Sequence, residues 1–199
     1  MRTIQPICRA RALRSYRATG FTLIETALAL VIVGTGVLAA LQLSGTCTNA
    51  STNAARATTA RMLADNIREA MAGLEFSDPT SGTAWGCEVG EETTATYDDI
   101  DDFDGLWDGA TKKAPGTTHN PPIDSMRAPI PQLSNYQQVV TVMPVLPNDL
   151  SGNSNEALPD LPKGTYTGAL RVRVRVQYLT APGAKPIDLY TMSWVRADD

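Results

Sequence analysis

Histidine occurs once in the 199 residues, as His119, and cysteine three times, as Cys8, Cys47 and Cys87. A single histidine, set in the proline-rich stretch Gly116-Thr-Thr-His-Asn-Pro-Pro122, gives histidine triads and multi-histidine metal sites little to work with. It reads as a solvated loop residue. The cysteines form no C-x-x-C pair, which removes zinc-ribbon and thioredoxin-like chemistry. Basic residues are scarce beyond the amino terminus. Arg2, Arg9, Arg11, Arg14 and Arg17 are five of the 17, so positions 21–199 carry 12 basic against 21 acidic residues. Nucleic-acid grooves neutralise phosphates with Lys and Arg, and an acidic body of this kind argues against one. Proline is absent from residues 21–78, and no charge stands between Glu25 and Arg56. With 43% hydrophobic residues and a net charge of −4, one modest globular domain fits, and enzymes that use carboxylates alone stay open.

What the chain does have is one long apolar run. Residues 21–43 read FTLIETALALVIVGTGVLAALQL, 23 positions with Glu25 as the sole charge. As a helix this run is about 35 Å long, enough to cross a bilayer core of about 30 Å. The five arginines before it place that end in the cytoplasm and the acidic body across the membrane. A secretory signal has a shorter apolar core, about 7–15 residues, and a small-x-small cleavage site, which Leu38-Ala-Ala-Leu-Gln42 supplies poorly. A plain anchor leaves Glu25 unexplained, because an isolated carboxylate near hydrocarbon costs about 2.5 kcal/mol or more. A charge kept there asks for a partner.

Gly20-Phe21-Thr22-Leu23-Ile24-Glu25, after a basic leader and before a long apolar helix, resembles the processing motif of type IV prepilins and type II secretion pseudopilins. The resemblance covers about the first third of the chain. It implies that a prepilin peptidase cuts between Gly20 and Phe21 on the cytoplasmic side and methylates the new amine of Phe21. It further implies that Glu25 neutralises the terminal amine of a neighbouring subunit as helices stack in a filament, which would supply its missing partner. The small residues Ala27, Ala29, Gly34, Gly36, Ala39 and Ala40 would permit close helix approach, or are ordinary membrane-helix composition. Where many major pilins carry a proline this chain has Gln42, leaving Gly34, Gly36 and Gly45 as the weak points of the helix.

Beyond a polar stretch at 44–53, Leu63, Ile67, Ala70, Met71 and Leu74 recur at helical spacing, predicting a helix that ends near Phe76 with this stripe in the core. Arg56, Arg61, Asp65, Arg68 and Glu69 would face water. Residues 170–179 alternate strictly, with Val172, Val174, Val176 and Tyr178 on one face and Arg171, Arg173, Arg175 and Gln177 on the other. The arginines read as a solvent face or a ladder paired with acidic neighbours. Residues 187–195 supply an antiparallel partner, and 136–146 a further strand bent or ended at Pro144 and Pro147. Between helix and sheet lie turn-rich residues 77–135, which hold Asp98, Asp99, Asp101, Asp102 and Asp104 within seven positions. These carboxylates repel one another unless a cation or arginines relieve them, so the readings are a calcium site, a solvated acidic loop or pairing with the arginine face. Alternation fails at Phe103, so the loop is no EF-hand. The same stretch resembles an Asp-rich segment of minor pilins like the D-type component of mannose-sensitive haemagglutinin pili, which favours a minor subunit over a major one.

The expected architecture is α+β and pilin-like, a long N-terminal helix packed on a C-terminal antiparallel sheet. Its parts are a basic leader (1–20), a transmembrane and filament-core helix (21–43), an amphipathic continuation (44–76) and a head (77–199) with a variable region (77–135) and strands within 136–196. A continuous helix from Cys47 to Glu75 carries the chain about 42 Å away, whereas 12 residues return about 40 Å at most. Free Cys47 and Cys87 are therefore expected. The expected function is non-enzymatic, a structural subunit in the bacterial inner membrane with its head on the periplasmic side, then in a pilus or pseudopilus. Expected partners are prepilin peptidase, other pilin or pseudopilin subunits, an inner-membrane assembly platform and lipid, with no nucleic acid. No cofactor is expected beyond calcium at the acidic loop. The rivals are a membrane-tethered carboxylate-dependent hydrolase and a calcium-dependent tip adhesin.

Overall fold

A computed structural model describes residue 20 and residues 22–78, 85–87, 90–91, 93–105, 116–148, 166–181 and 183–198. The chain divides into two units, Met1–Asn49 and Ala50–Asp199. One helix, α1 (Leu23–Met71), supplies residues to both. Its freedom from proline keeps every backbone donor available. The hydroxyls along it fold back onto the preceding turn: Thr35 donates to Val31 O at 3.0 Å, Thr46 to Leu43 O at 2.9 Å and Thr48 to Ser44 O at 2.9 Å. The polar stretch 44–53 and the three helical glycines all lie within this one helix, and the hydroxyls spend their hydrogen bonds locally.

In the first unit every described residue from 22 to 49 is exposed. Within the second unit the helix turns amphipathic. Leu63, Ile67, Ala70 and Met71 are buried, as the sequence spacing predicts, joined by Ala60 and Ala64, and Leu74 is partly buried beyond the helix end. Of the residues expected to face water, Arg61, Arg68 and Glu69 are exposed, whereas Arg56 and Asp65 are half-buried, the Arg56 guanidinium lying 4.5 Å from the centre of the Tyr178 ring.

The helix ends at Met71, not near Phe76. Gly73 follows, Ala72 N and Leu74 N bond Glu69 O and Met71 O at 3.1 and 3.2 Å, and Arg196 donates to Met71 O and Leu74 O at 2.8 and 2.7 Å. A side chain from the last strand thus satisfies carbonyls that a helix end leaves open.

The sheet has four antiparallel strands in the order β1 (Thr117–His119), β2 (Tyr136–Pro144), β3 (Ala169–Tyr178) and β4 (Ile187–Ala197). Val140 faces Val174 and Val142 faces Val172, so the apolar side of β2 and β3 forms one surface with the buried stripe of α1. Burying each such side chain stabilises by about 1.5–3 kcal/mol. On the other side the solvent-face reading fails, and the ion pair found there fits the alternative of pairing with acidic neighbours. Arg171 and Arg173 are buried and Arg175 half-buried, 3.8 Å from Asp188, so this face is not solvent-facing. Strand β1 lies inside the region read as turns, and Gly116 brings it in: its φ is +82°, and a Cβ there would sit 2.3 Å from Val140 O. Cys47 is exposed and Cys87 half-buried, and both are free thiols, as expected.

Candidate functional site

Two places carry chemistry. The first is the start of α1, where Gly20 is exposed, while Phe21 and residues 1–19 lie outside the described residues. Thr22 accepts a hydrogen bond from Glu25 N at 3.4 Å and its hydroxyl donates to the Glu25 carboxylate at 3.5 Å. Thr22-x-x-Glu25 is thus a helix cap, and the acid stands in the first turn, where the helix dipole favours negative charge. Glu25 therefore has a local partner besides any it meets in an assembly. Among the described residues, α1 is the one helix long and apolar enough to cross a membrane.

The second is the acidic segment. Asp99, Asp101, Asp102 and Asp104 are each 1% exposed or less, so this is no solvated loop. Asp101–Asp104 form a 3-10 turn, and Asp99 starts it by accepting from Asp101 N at 2.9 Å and Asp102 N at 3.1 Å. Asp102 reciprocates, accepting from Asp98 N at 3.0 Å and Asp99 N at 3.4 Å. Asp101 accepts from Gly86 N at 3.3 Å and from the Tyr166 hydroxyl. Asp104 is spent on structure: it takes the Trp85 indole N–H at 3.2 Å and Val142 N at 3.0 Å, tying the turn to β2. Behind the turn Phe103 is fully buried against Tyr97, edge to face at 5.0 Å.

Burial raises all three inner carboxyls. Asp102 is pushed up to about 7 by burial and then by the charge of Asp99. Asp99 and Asp101 are raised by the same desolvation, Asp99 further by the adjacent Asp101 carboxyl. Asp98, at the partly exposed rim, is raised by desolvation and then by Glu91. Cys87, whose thiol donates to Asp102 O at 3.2 Å, is pushed up to about 12 by burial and by Asp102, so it is no nucleophile.

His119 is the clearest departure from the sequence reading. It sits in β1 at 7% exposure, its ring 6.2 Å from that of Phe103, and its Nε2 has no hydrogen-bond partner. Burial lowers its pKa to about 4. The unfolded chain protonates near 6.5 and the folded one near 4, so stability contributed by the neutral ring is intact above the first value and is lost as pH falls toward the second. The loss reaches about 3 kcal/mol at most. Asp101 and Asp102 titrate in an overlapping window with the opposite sign, so the measurement is a difference: urea unfolding of wild type and H119Q from pH 7 to 4.5. Wild type is expected to lose more stability than H119Q across that range. Parallel curves would mean that the folded state accepts the proton.

Comparison with known protein families, curated proteins and solved structures gives no match.

Proposed function

We propose that this chain is a structural, non-enzymatic subunit, of the minor class, of a type IV pilus or pseudopilus, cut between Gly20 and Phe21, methylated at Phe21 and assembled through Glu25. The observation that carries this reading is the state of residues 22–49, all exposed, apolar through residue 43 and holding one acid, joined to a body with its own core. A surface of that kind suits lipid first and the helices of other subunits later. In this reading residues 21–43 hold the subunit in the bacterial inner membrane with the acidic body on the periplasmic side, where the assembly platform and sister subunits meet it.

Processing supplies the test. Co-expressed with a prepilin peptidase, the chain is expected to lose its first 20 residues, and intact-mass measurement reads the loss directly. Gly20→Val is expected to leave a full-length chain. Cleavage elsewhere, or a wild-type chain that keeps its leader, would remove the basis for the assignment.

A further inference from the structure

Asp99, Asp101 and Asp102 each bring a carboxylate oxygen within 4.8 Å of the other two, all three side chains being buried. A second group, Glu91, Asp98 and Asp102, meets the same limit and shares Asp102 with the first. Clustering alone decides nothing, because backbone donors can satisfy a carboxylate. Here they satisfy only part of it. Asp99 Oδ1 and Asp102 Oδ2 take the N–H groups of the turn, whereas Asp99 Oδ2, Asp102 Oδ1 and Asp98 Oδ1 are buried with no partner. Among the described residues no ion pair reaches Asp99, Asp101 or Asp102.

Leaving buried carboxylate oxygens unpaired costs several kcal/mol, and a cation relieves it. Asp99 and Asp102 are each oriented through one oxygen by backbone N–H groups, and Asp101 through both, by Gly86 N and the Tyr166 hydroxyl, each oxygen keeping a lone pair for an ion. The donors are all oxygen, with no imidazole among them, which selects a hard cation. A site of clustered carboxylates suits calcium, which takes six to eight oxygens at about 2.3–2.6 Å in flexible geometry, better than magnesium, which demands a near-ideal octahedron.

We propose that Asp99, Asp101 and Asp102 bind one calcium ion, reached from solvent past Asp98 and Glu91. Asp104 is not a ligand, since it stands outside both groups and its oxygens tie the turn to Trp85 and Val142. The ion would lock the 93–105 segment, which reaches the residues just past α1 through Glu75 N to Asp98 O at 3.2 Å and the sheet through Asp104. This site does not depend on the filament reading.

The test uses the full chain in detergent after chelator treatment. Calcium is expected to raise the melting temperature saturably, by roughly 5–10 °C at a hundredfold excess over its dissociation constant. Magnesium at the same concentration is expected to do much less, D102N to abolish the shift, and D188N, at an exposed carboxylate outside the cluster, to keep it. Terbium gives a readout that needs no variant: bound at Asp101 it is excited through Tyr166, and calcium displaces it. The proposal is overturned by a melting temperature indifferent to calcium, by an equal shift with magnesium or in folded D102N, or by terbium emission that calcium does not quench. If D102N fails to fold, the terbium competition decides alone.

Discussion

Replacing Glu25 with alanine is expected to abolish filament assembly and leave membrane insertion intact, and replacing it with glutamine is expected to do the same. The pair matters because Glu25 has two candidate roles. As a cap it interacts with Thr22 across one turn, and such contacts are worth about 0.5–2 kcal/mol, with about 0.3–1 kcal/mol more from the helix dipole. Glutamine keeps the hydrogen bonding of that cap and loses only the charge. As the counter-charge to a terminal amine on a neighbouring subunit, the carboxylate cannot be replaced by an amide. Removing one partner of a buried ion pair costs about 3–5 kcal/mol. At every subunit contact that is a factor of hundreds or more in association. The assay compares membrane fractions with filaments sheared from cells. Full assembly with E25Q would reduce Glu25 to a helix cap, whereas loss with both variants supports the inter-subunit charge.

The elements that the sequence made legible are those whose pattern is long. From Leu170 to Tyr178 β3 alternates without a break, and the helical stripe repeats over three turns, so their apolar faces follow from spacing, whereas the burial of Arg171 and Arg173 on the other face of β3 does not. β1 has three residues, Thr-Thr-His, between a glycine and two prolines, and offers no period to count. His119 was therefore legible as a loop residue and only the fold buries it. The acidic segment shows the same limit from another side. Its charge is obvious, but what decides its state comes from far along the chain: Trp85, Val142 and Tyr166 take or orient its carboxylates, and none is foreshadowed by local sequence. The early end of α1 likewise depends on Arg196, more than a hundred residues downstream. The Thr22-x-x-Glu25 cap is different, because its four residues are consecutive in the chain and the spacing alone carries it.

Gln138 is the residue that sequence reasoning passes over and whose loss is expected to cost the body most. It stands on the apolar side of β2, among valines, at 0% exposure. Its amide donates to Leu63 O in α1 at 2.8 Å and to Ile123 O at 3.0 Å, and accepts from Ile123 N at 2.7 Å. Ile123 sits in an isolated bridge with Pro129, where Asp124 N and Ile130 N make the chain's own bonds at 2.9 and 2.7 Å. The side chain of Gln138 thus does for Ile123 what a neighbouring strand's peptide would do, while reaching across to the helix. Gln138→Leu keeps the volume and gains apolar burial of about 1–2 kcal/mol. It also strands the N–H and C=O of buried Ile123, at about 1–3 kcal/mol each, and loosens the tie to Leu63. The penalties exceed the gain, for a net loss of about 2–4 kcal/mol. Gln137→Leu, which removes a half-buried contact to Gln177, is the control and is expected to cost under about 1 kcal/mol. Urea unfolding of the full chain in detergent, followed by tryptophan fluorescence, separates the two. Equal stability of Q138L and wild type would mean that the loop at 120–130 re-pairs without the amide, and that α1, the loop and β2 are held together by apolar contact alone.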